Sequence, residues 1–119
     1  MIDTKELRIG NTIYLNGKKI VVGSDEIAFM EKCQLFGINC EATPIKVTEE
    51  TLKGLNFSFD FENASSRVYD KDGIKLQIHP SEGVYLYAGG NRIGKSFFYL
   101  HQLQNLWFCL TGKEITNLP

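Results

Sequence analysis

One segment near the carboxyl end of the chain limits the possible folds more than any other. Large apolar side chains recur there at the spacing of an α-helix, at Leu100, Leu103, Leu106, Trp107 and Leu110. Gly112 follows at the position where a left-handed residue commonly ends a helix. A helix with one apolar stripe needs a surface that covers the stripe. The alternating strands just before it offer such a surface, so we predict that this helix packs on one face of an antiparallel sheet.

The composition bounds the class of protein. At 119 residues, 43% of them hydrophobic, the chain has the size and content of one globular domain. Its formal net charge of -1 differs from the strongly basic charge of a typical duplex-DNA-binding domain. Only a local basic patch could then bind nucleic acid. Cys33, Cys40 and Cys109 lack Cys-x-x-Cys spacing, which predicts reduced thiols rather than a zinc site or a redox pair, and we expect no cofactor. No apolar run reaches bilayer length and the amino terminus has no apolar signal core, so we expect a cytoplasmic protein and no membrane partner.

The first third of the chain has the pattern of a β-rich subdomain, residues 1–46. Asn16-Gly17 between two β-forming runs predicts a hairpin, because both residues accept a positive φ. Residues 24–40 are ambiguous: Ser24 could begin a helix, but Ile27 and Phe29 alternate as in a strand. We favour strands here, which would give a small curled, barrel-like sheet.

Residues 47–119 predict a second subdomain. Thr48 is a good N-cap for a short helix, Glu49 and Glu50 place negative charge at its amino end, and Gly54 ends it. Turns at Asp72-Gly73, 80–83 and 89–91 then define an antiparallel meander, followed by the last helix. The predicted fold class is therefore α+β.

The parity of the meander strands predicts two different faces. Apolar residues of one parity define the core face, namely Ile74, Leu76, Ile78, Val84 and Leu86. The opposite parity gathers aromatic, basic and polar residues, namely Arg67, Tyr69, Lys75, Gln77, His79, Tyr85 and Tyr87. Aromatic rings beside basic groups are typical of single-strand nucleic-acid binders. The alternative is an ordinary exposed sheet face whose aromatic bodies and lysine stems shield it from water.

Residues 89–96 match the G-x-x-x-x-G-K-S pattern of a phosphate-binding loop. In that interpretation Gly94, Lys95 and Ser96 would bind a nucleotide. Such loops join a parallel strand to a crossover helix, and this chain has too few helices for that arrangement. A glycine-rich hairpin turn is the competing interpretation.

The back of the last helix carries His101, Asn105 and Phe108. An aromatic side chain away from the main stripe indicates a second contact, either within the chain or with another chain. Neither His79 nor His101 has a nucleophile at a recognisable spacing, so we expect no catalytic residues and no enzyme.

Three segments resemble one family of proteins. Leu7-Arg8-Ile9-Gly10-Asn11, then residues 44–50 (PIKVTEE), then residues 99–115 (YLHQLQNLWFCLTGKEI) are similar to short uncharacterised proteins of bacteriophages, prophages and mobile elements of gut bacteria. The resemblance implies a phage or mobile-element origin and an intracellular setting in the host cell. It implies no activity and supplies no catalytic motif.

These observations favour a non-catalytic interaction protein of phage or mobile-element origin. It would bind a protein partner, from the host or the phage, or a second copy of itself, through His101, Asn105 and Phe108. The alternatives are a weak single-stranded nucleic-acid binder and a nucleotide binder through residues 89–96.

Overall fold

The computed structural model describes residues 2, 4–38, 41–63 and 65–115. Within them, α-helices occupy Ser24–Phe36 (α1), Glu49–Gly54 (α2) and Leu100–Thr111 (α3). The strands are Thr12–Leu15 (β1), Lys18–Val21 (β2), Ala42–Thr43 (β3), Ser58–Glu62 (β4), Arg67–Lys71 (β5), Ile74–His79 (β6), Gly83–Ala88 (β7) and Asn91–Phe97 (β8). A single 3-10 turn covers Thr4–Glu6. Two antiparallel sheets with helices at separate places along the chain make an α+β fold, as the sequence predicts.

The chain forms two compact units. Among the described residues, unit 1 contains those up to Lys46 together with those from Tyr99 onward, and unit 2 contains Val47–Phe98. The sequence pattern instead predicts one subdomain for residues 47–119. The difference is α3, which belongs to unit 1 because its first backbone N–H donates to the Ile45 carbonyl, at 2.7 Å, and its buried polar side chains bond the N-terminal segment.

Unit 1 has a three-stranded sheet in the order β2-β1-β3 and the helix α1. The turn between β1 and β2 is the predicted Asn16-Gly17 hairpin, with φ of 51° and 81°. A core cluster of buried residues joins the sheet to α1, namely Ile2, Ile13, Val22, Met30, Cys33 and Ala42.

The strand prediction for residues 24–40 is wrong. Ser24–Phe36 is a helix of 13 residues, while residues 39 and 40 lie outside the described part of the chain. The Glu26 carboxylate accepts a hydrogen bond from the Gly23 N–H at 3.1 Å and fixes the amino end. Gly37 ends the helix in the left-handed conformation, with φ of 67°. Unit 1 is therefore a small sheet with a helix rather than a curled all-β subdomain.

Helix α3 lies within one residue of its predicted bounds and ends at the left-handed Gly112. The predicted stripe is correct in part, since Leu100, Leu103 and Trp107 are buried whereas Leu110 is exposed. His101 and Gln104 are buried in addition.

Unit 2 is the predicted antiparallel meander, in the order β4-β5-β6-β7-β8, preceded by α2. The Thr48 side chain caps α2 by accepting from the Thr51 N–H. Leu76 pairs with Leu86 and Ile78 with Val84, so these residues share a face. Of the five predicted core-face residues, only Ile78 is less than fully buried.

Candidate protein-interaction surface

His101, the first of the predicted partner-binding residues, points into unit 1 and not outward. Its side chain is 2% exposed, and neither ring nitrogen has a hydrogen-bond partner. Tyr99 stacks on the ring with 6.2 Å between centroids. A Glu6 carboxylate oxygen lies 3.7 Å from Nε2, beyond hydrogen-bonding distance. Burial lowers the pKa of His101, and the attraction of Glu6 opposes this effect without reversing it, so the ring is neutral inside the folded unit.

Asn105 is also occupied within unit 1. Its side-chain oxygen accepts from the Asn11 amide at 2.8 Å and from Arg8 Nε at 3.2 Å, and its amide donates to the Glu6 carbonyl at 3.1 Å. The predicted back face of α3 is thus a contact with the N-terminal segment, which was one of the two possibilities that the sequence left open.

Phe108 keeps some exposed surface but one face of its ring is covered. The Arg8 guanidinium carbon lies 4.3 Å from the ring centroid. The same guanidinium holds the Glu114 carboxylate with two nitrogens, at 2.6 and 2.8 Å, and lowers the pKa of Glu114. Arg8 therefore links the N-terminal segment, α3 and the carboxyl segment. Because Arg8 covers one face of the ring, Phe108 contributes only a small part of the exposed surface.

The predicted nucleic-acid face is only partly assembled. Lys75 pairs with Tyr87 and Gln77 with Tyr85 across β6 and β7, so these four residues share one side of the sheet, here called the tyrosine face. Tyr87 donates to Gln77 at 3.0 Å. Lys75 forms ion pairs with Asp60 and with Asp70. Lys75 is therefore already neutralised by two carboxylates, which works against phosphate binding. Arg92, opposite Tyr87, is a second cation on this face, and its guanidinium carbon lies 5.0 Å from the centroid of the Tyr85 ring.

Arg67 and Tyr69 are not on the tyrosine face, and that prediction is wrong. Tyr69 lies directly opposite Leu76 and Arg67 opposite Ile78, which places both on the core side of the sheet. Counting parity along each strand could not reveal how β5 is aligned with β6, because the register of a pair fixes which residues share a face.

Arg67 instead lies in an open cleft of about 320 Å³ at the end of α2 and β5. It forms ion pairs with Glu49 and Glu62, and it holds the pKa of Glu49 below its usual value. Tyr69, beside it, has its pKa raised by burial and by its hydrogen bond to Glu49. One guanidinium shared by two carboxylates leaves the cleft with a net negative charge, which works against binding an anionic ligand.

Gly94, Lys95 and Ser96 lie inside β8, which pairs antiparallel with β7. The register shifts between the Val84 and Leu86 pairs, opposite this segment, and Gly94 has φ of 70°, as expected at a β-bulge. A phosphate-binding loop needs backbone N–H groups curled before a helix, and here the segment is a strand. The glycine-rich hairpin, with its turn at Gly89-Gly90, is the observed structure.

Helix α1 has an uncovered apolar surface. The outer side of α1, called the α1 outer face, consists of Asp25, Ala28, Phe29, Lys32, Leu35 and Phe36, and all six are exposed. Phe29, Leu35 and Phe36 are 46, 78 and 65% exposed. At about 100° per residue these positions form one stripe, and the buried Cys33 and Met30 follow next to it around the helix, beyond Phe29. A helix that is apolar on both sides is normally buried on both.

Two other exposed phenylalanines form no comparable surface. Phe59 and Phe61 lie on β4, the edge strand of the five-stranded sheet. Phe59 is opposite Tyr69 and Phe61 is opposite Val68, so a β-bulge between them sends the two rings to different sides of the sheet. Each is an isolated exposed side chain, which is common on protein surfaces.

Sequence reasoning missed the α1 outer face because it assigned this segment to strands. A helical interpretation beginning at Ser24 and ending at Gly37 would have placed Phe29 and Phe36 on one side, seven residues apart.

In the described part of the chain, no group of three or more histidine, cysteine, aspartate or glutamate side chains is arranged to hold a metal ion. None of the described helices is long and apolar enough to cross a membrane. Comparison of the chain with protein-family models, with curated proteins and with solved structures gives no significant match.

Proposed function

We propose that this chain is a non-catalytic interaction protein of phage or mobile-element origin, acting in the cytoplasm of the host cell. Its contact surface is the α1 outer face rather than the back of α3. The origin and the setting rest on the resemblance of residues 7–11, 44–50 and 99–115. The function rests on one observation, the apolar outer face of a helix whose inner side is already covered.

The exposed rings of this surface supply the apolar centre of a larger contact. With about 200 Å² for a whole phenylalanine side chain, the exposed parts of Phe29 and Phe36 amount to about 220 Å². Covering that area stabilises a complex by about 5 kcal/mol, at about 25 cal/mol per Å². Leu35 and Ile38, also exposed, extend the same end of the helix. Phenylalanine and leucine beside a few charges are typical of the centre and rim of an interface.

Photo-cross-linking in the host cell tests this function. A benzoylphenylalanine replacing Phe36 is expected to give a discrete cross-linked species containing a second protein chain. The matched control is the same residue replacing Phe61, which is similarly exposed but isolated on β4, and it is expected to give none. Equal labelling patterns at the two positions, or no adduct at position 36, would contradict the proposal.

A further inference from the structure

The α1 outer face carries two charges as well as apolar side chains. Asp25 and Lys32 lie along the middle of the stripe, seven residues or about 10.5 Å apart. Among the described residues neither side chain forms an ion pair or a hydrogen bond with another side chain. A covering partner must therefore meet one negative and one positive group two helical turns apart, with apolar side chains on either side of them.

A second copy of α1 satisfies this requirement when it runs antiparallel. Rotation about a twofold axis brings Asp25 of one copy to Lys32 of the other, and the same pair forms again on the other side of the axis. A parallel arrangement would place Asp25 beside Asp25 and Lys32 beside Lys32, which is unfavourable. The charge pattern of the α1 outer face is thus complementary to itself in one orientation only.

The same alignment suits the apolar residues at the middle of α1, and it sets Phe36 level with Val21 of the partner, an exposed residue of β2. With Asp25 level with Lys32 of the partner, Phe29 of each copy lies beside Ala28 of the other, so a large side chain meets a small one. Sliding the helices until Phe29 met Phe36 would bring the two Lys32 side chains together near the axis. That alternative buries like charges in a region from which water is excluded, so it is disfavoured.

Building on the proposed function, we infer that the partner of the α1 outer face is a second copy of this chain. The dimer is isologous, with antiparallel α1 helices and with reciprocal ion pairs between Asp25 and Lys32.

Charge reversal tests this inference. Sedimentation equilibrium of the full chain, from about 1 to 200 µM, measures the dimer dissociation constant. Asp25→Lys and Lys32→Asp are each expected to weaken the dimer about tenfold or more, because each creates like-charged pairs. The double variant Asp25→Lys/Lys32→Asp restores both ion pairs in reverse and is expected to recover most of the affinity. Phe29→Asp should give a monomer, and Phe61→Asp should leave the dimer unchanged.

All four substitutions are at exposed positions, and circular dichroism with Trp107 fluorescence confirms that each of the five variants is folded. A wild-type chain that stays monomeric over the whole range overturns the inference. So does a dimer that the single reversals leave intact, or a double variant no better than the singles. If the chain is monomeric but the residue at position 36 cross-links a different protein in cells, the inference fails and the proposed function stands.

Discussion

The Gln104 side chain is the polar group on which unit 1 most depends. It is 0% exposed, and its Oε1 accepts from the Thr12 N–H at 2.7 Å. Its Nε2 donates to the Ile115 carbonyl at 2.9 Å and to the Thr12 hydroxyl at 3.2 Å. Strand β3 pairs only with Tyr14 and Leu15, so it does not reach Thr12. The Gln104 side chain therefore accepts the hydrogen bond from Thr12 that a neighbouring strand would otherwise accept. It also binds the carboxyl segment through the Ile115 carbonyl.

Gln104→Leu should destabilise unit 1 by about 3 kcal/mol. The substitution leaves the Thr12 N–H and the Ile115 carbonyl buried without partners, at about 1–3 kcal/mol each. The added apolar surface of leucine offsets about 1 kcal/mol of that cost. With a urea m-value of about 2 kcal/mol per M, the midpoint of unfolding should fall by about 1.5 M.

Urea unfolding followed by Trp107 fluorescence measures this change directly. Trp107 is the single tryptophan of the chain, is 3% exposed and lies in unit 1, so its signal reports the unit in question. The control is Gln34→Leu, an exposed glutamine of α1, which should alter the free energy of unfolding by less than about 0.5 kcal/mol. A loss for Gln104→Leu no larger than that of the control would refute the assignment of Gln104 as the link between α3 and β1.

Two further results are expected. Because burial lowers the pKa of His101 more than Glu6 raises it, the unfolded chain takes up the proton first, and stability should fall as the pH drops below about 6.5, by up to about 1.4 kcal/mol per unit. His101→Phe should remove this slope in urea unfolding between pH 7.5 and 5; an unchanged slope would show that other groups cause it. Since Lys75 is neutralised by two carboxylates and the Arg92 guanidinium covers the Tyr85 ring on which a base would stack, the chain should give no gel shift with single-stranded DNA at low ionic strength. A salt-dependent shift that Tyr85→Ala/Tyr87→Ala abolishes would instead support the nucleic-acid alternative.

Local signals in the sequence were sufficient for the hairpin turns and for the ends of α2 and α3. Asp72-Gly73, like the first hairpin, has two consecutive positive φ angles, 53° and 81°, a conformation that aspartate or asparagine followed by glycine adopts readily. Thr48 marks the start of α2 because its side chain caps the helix. Gly112 marks the end of α3 because glycine, without a side chain, readily adopts the left-handed conformation. These features depend on a few neighbouring residues, so an isolated sequence contains them.

The sequence pattern does not predict α1 as a helix, and the physical reason for this also explains the proposed role of α1. Periodicity identifies a helix when one side is apolar and the other polar. In α1 the apolar residues Met30 and Cys33 face inward and Phe29 and Phe36 face outward, so the pattern has no preferred side. A contact beyond the unit would account for this composition, since both sides would then be covered.

The arrangement of α3 shows a different limit of sequence reasoning. Its apolar stripe was visible, but the burial of His101 and Gln104 depends on Thr12 and Ile115, residues that the fold brings together from distant parts of the sequence. The same applies to Asn105 and Phe108, for which the sequence left a contact within the chain and a contact with another chain both open, and which Arg8 contacts in the structure. Long-range polar pairs of this kind leave no periodic signal in the chain.

Engineered disulfide formation at Ala28 tests the central claim most directly, because it asks whether two α1 outer faces meet. Cys40 and Cys109 are replaced by serine, and Ala28→Cys is oxidised at micromolar concentration, with Gln34→Cys as the control on another side of the same helix. A disulfide forms readily only where two Cα atoms approach to about 4.4–6.8 Å. We expect a covalent dimer for Ala28→Cys and a monomer for Gln34→Cys. A monomer for both, or equal cross-linking at both positions, would contradict it.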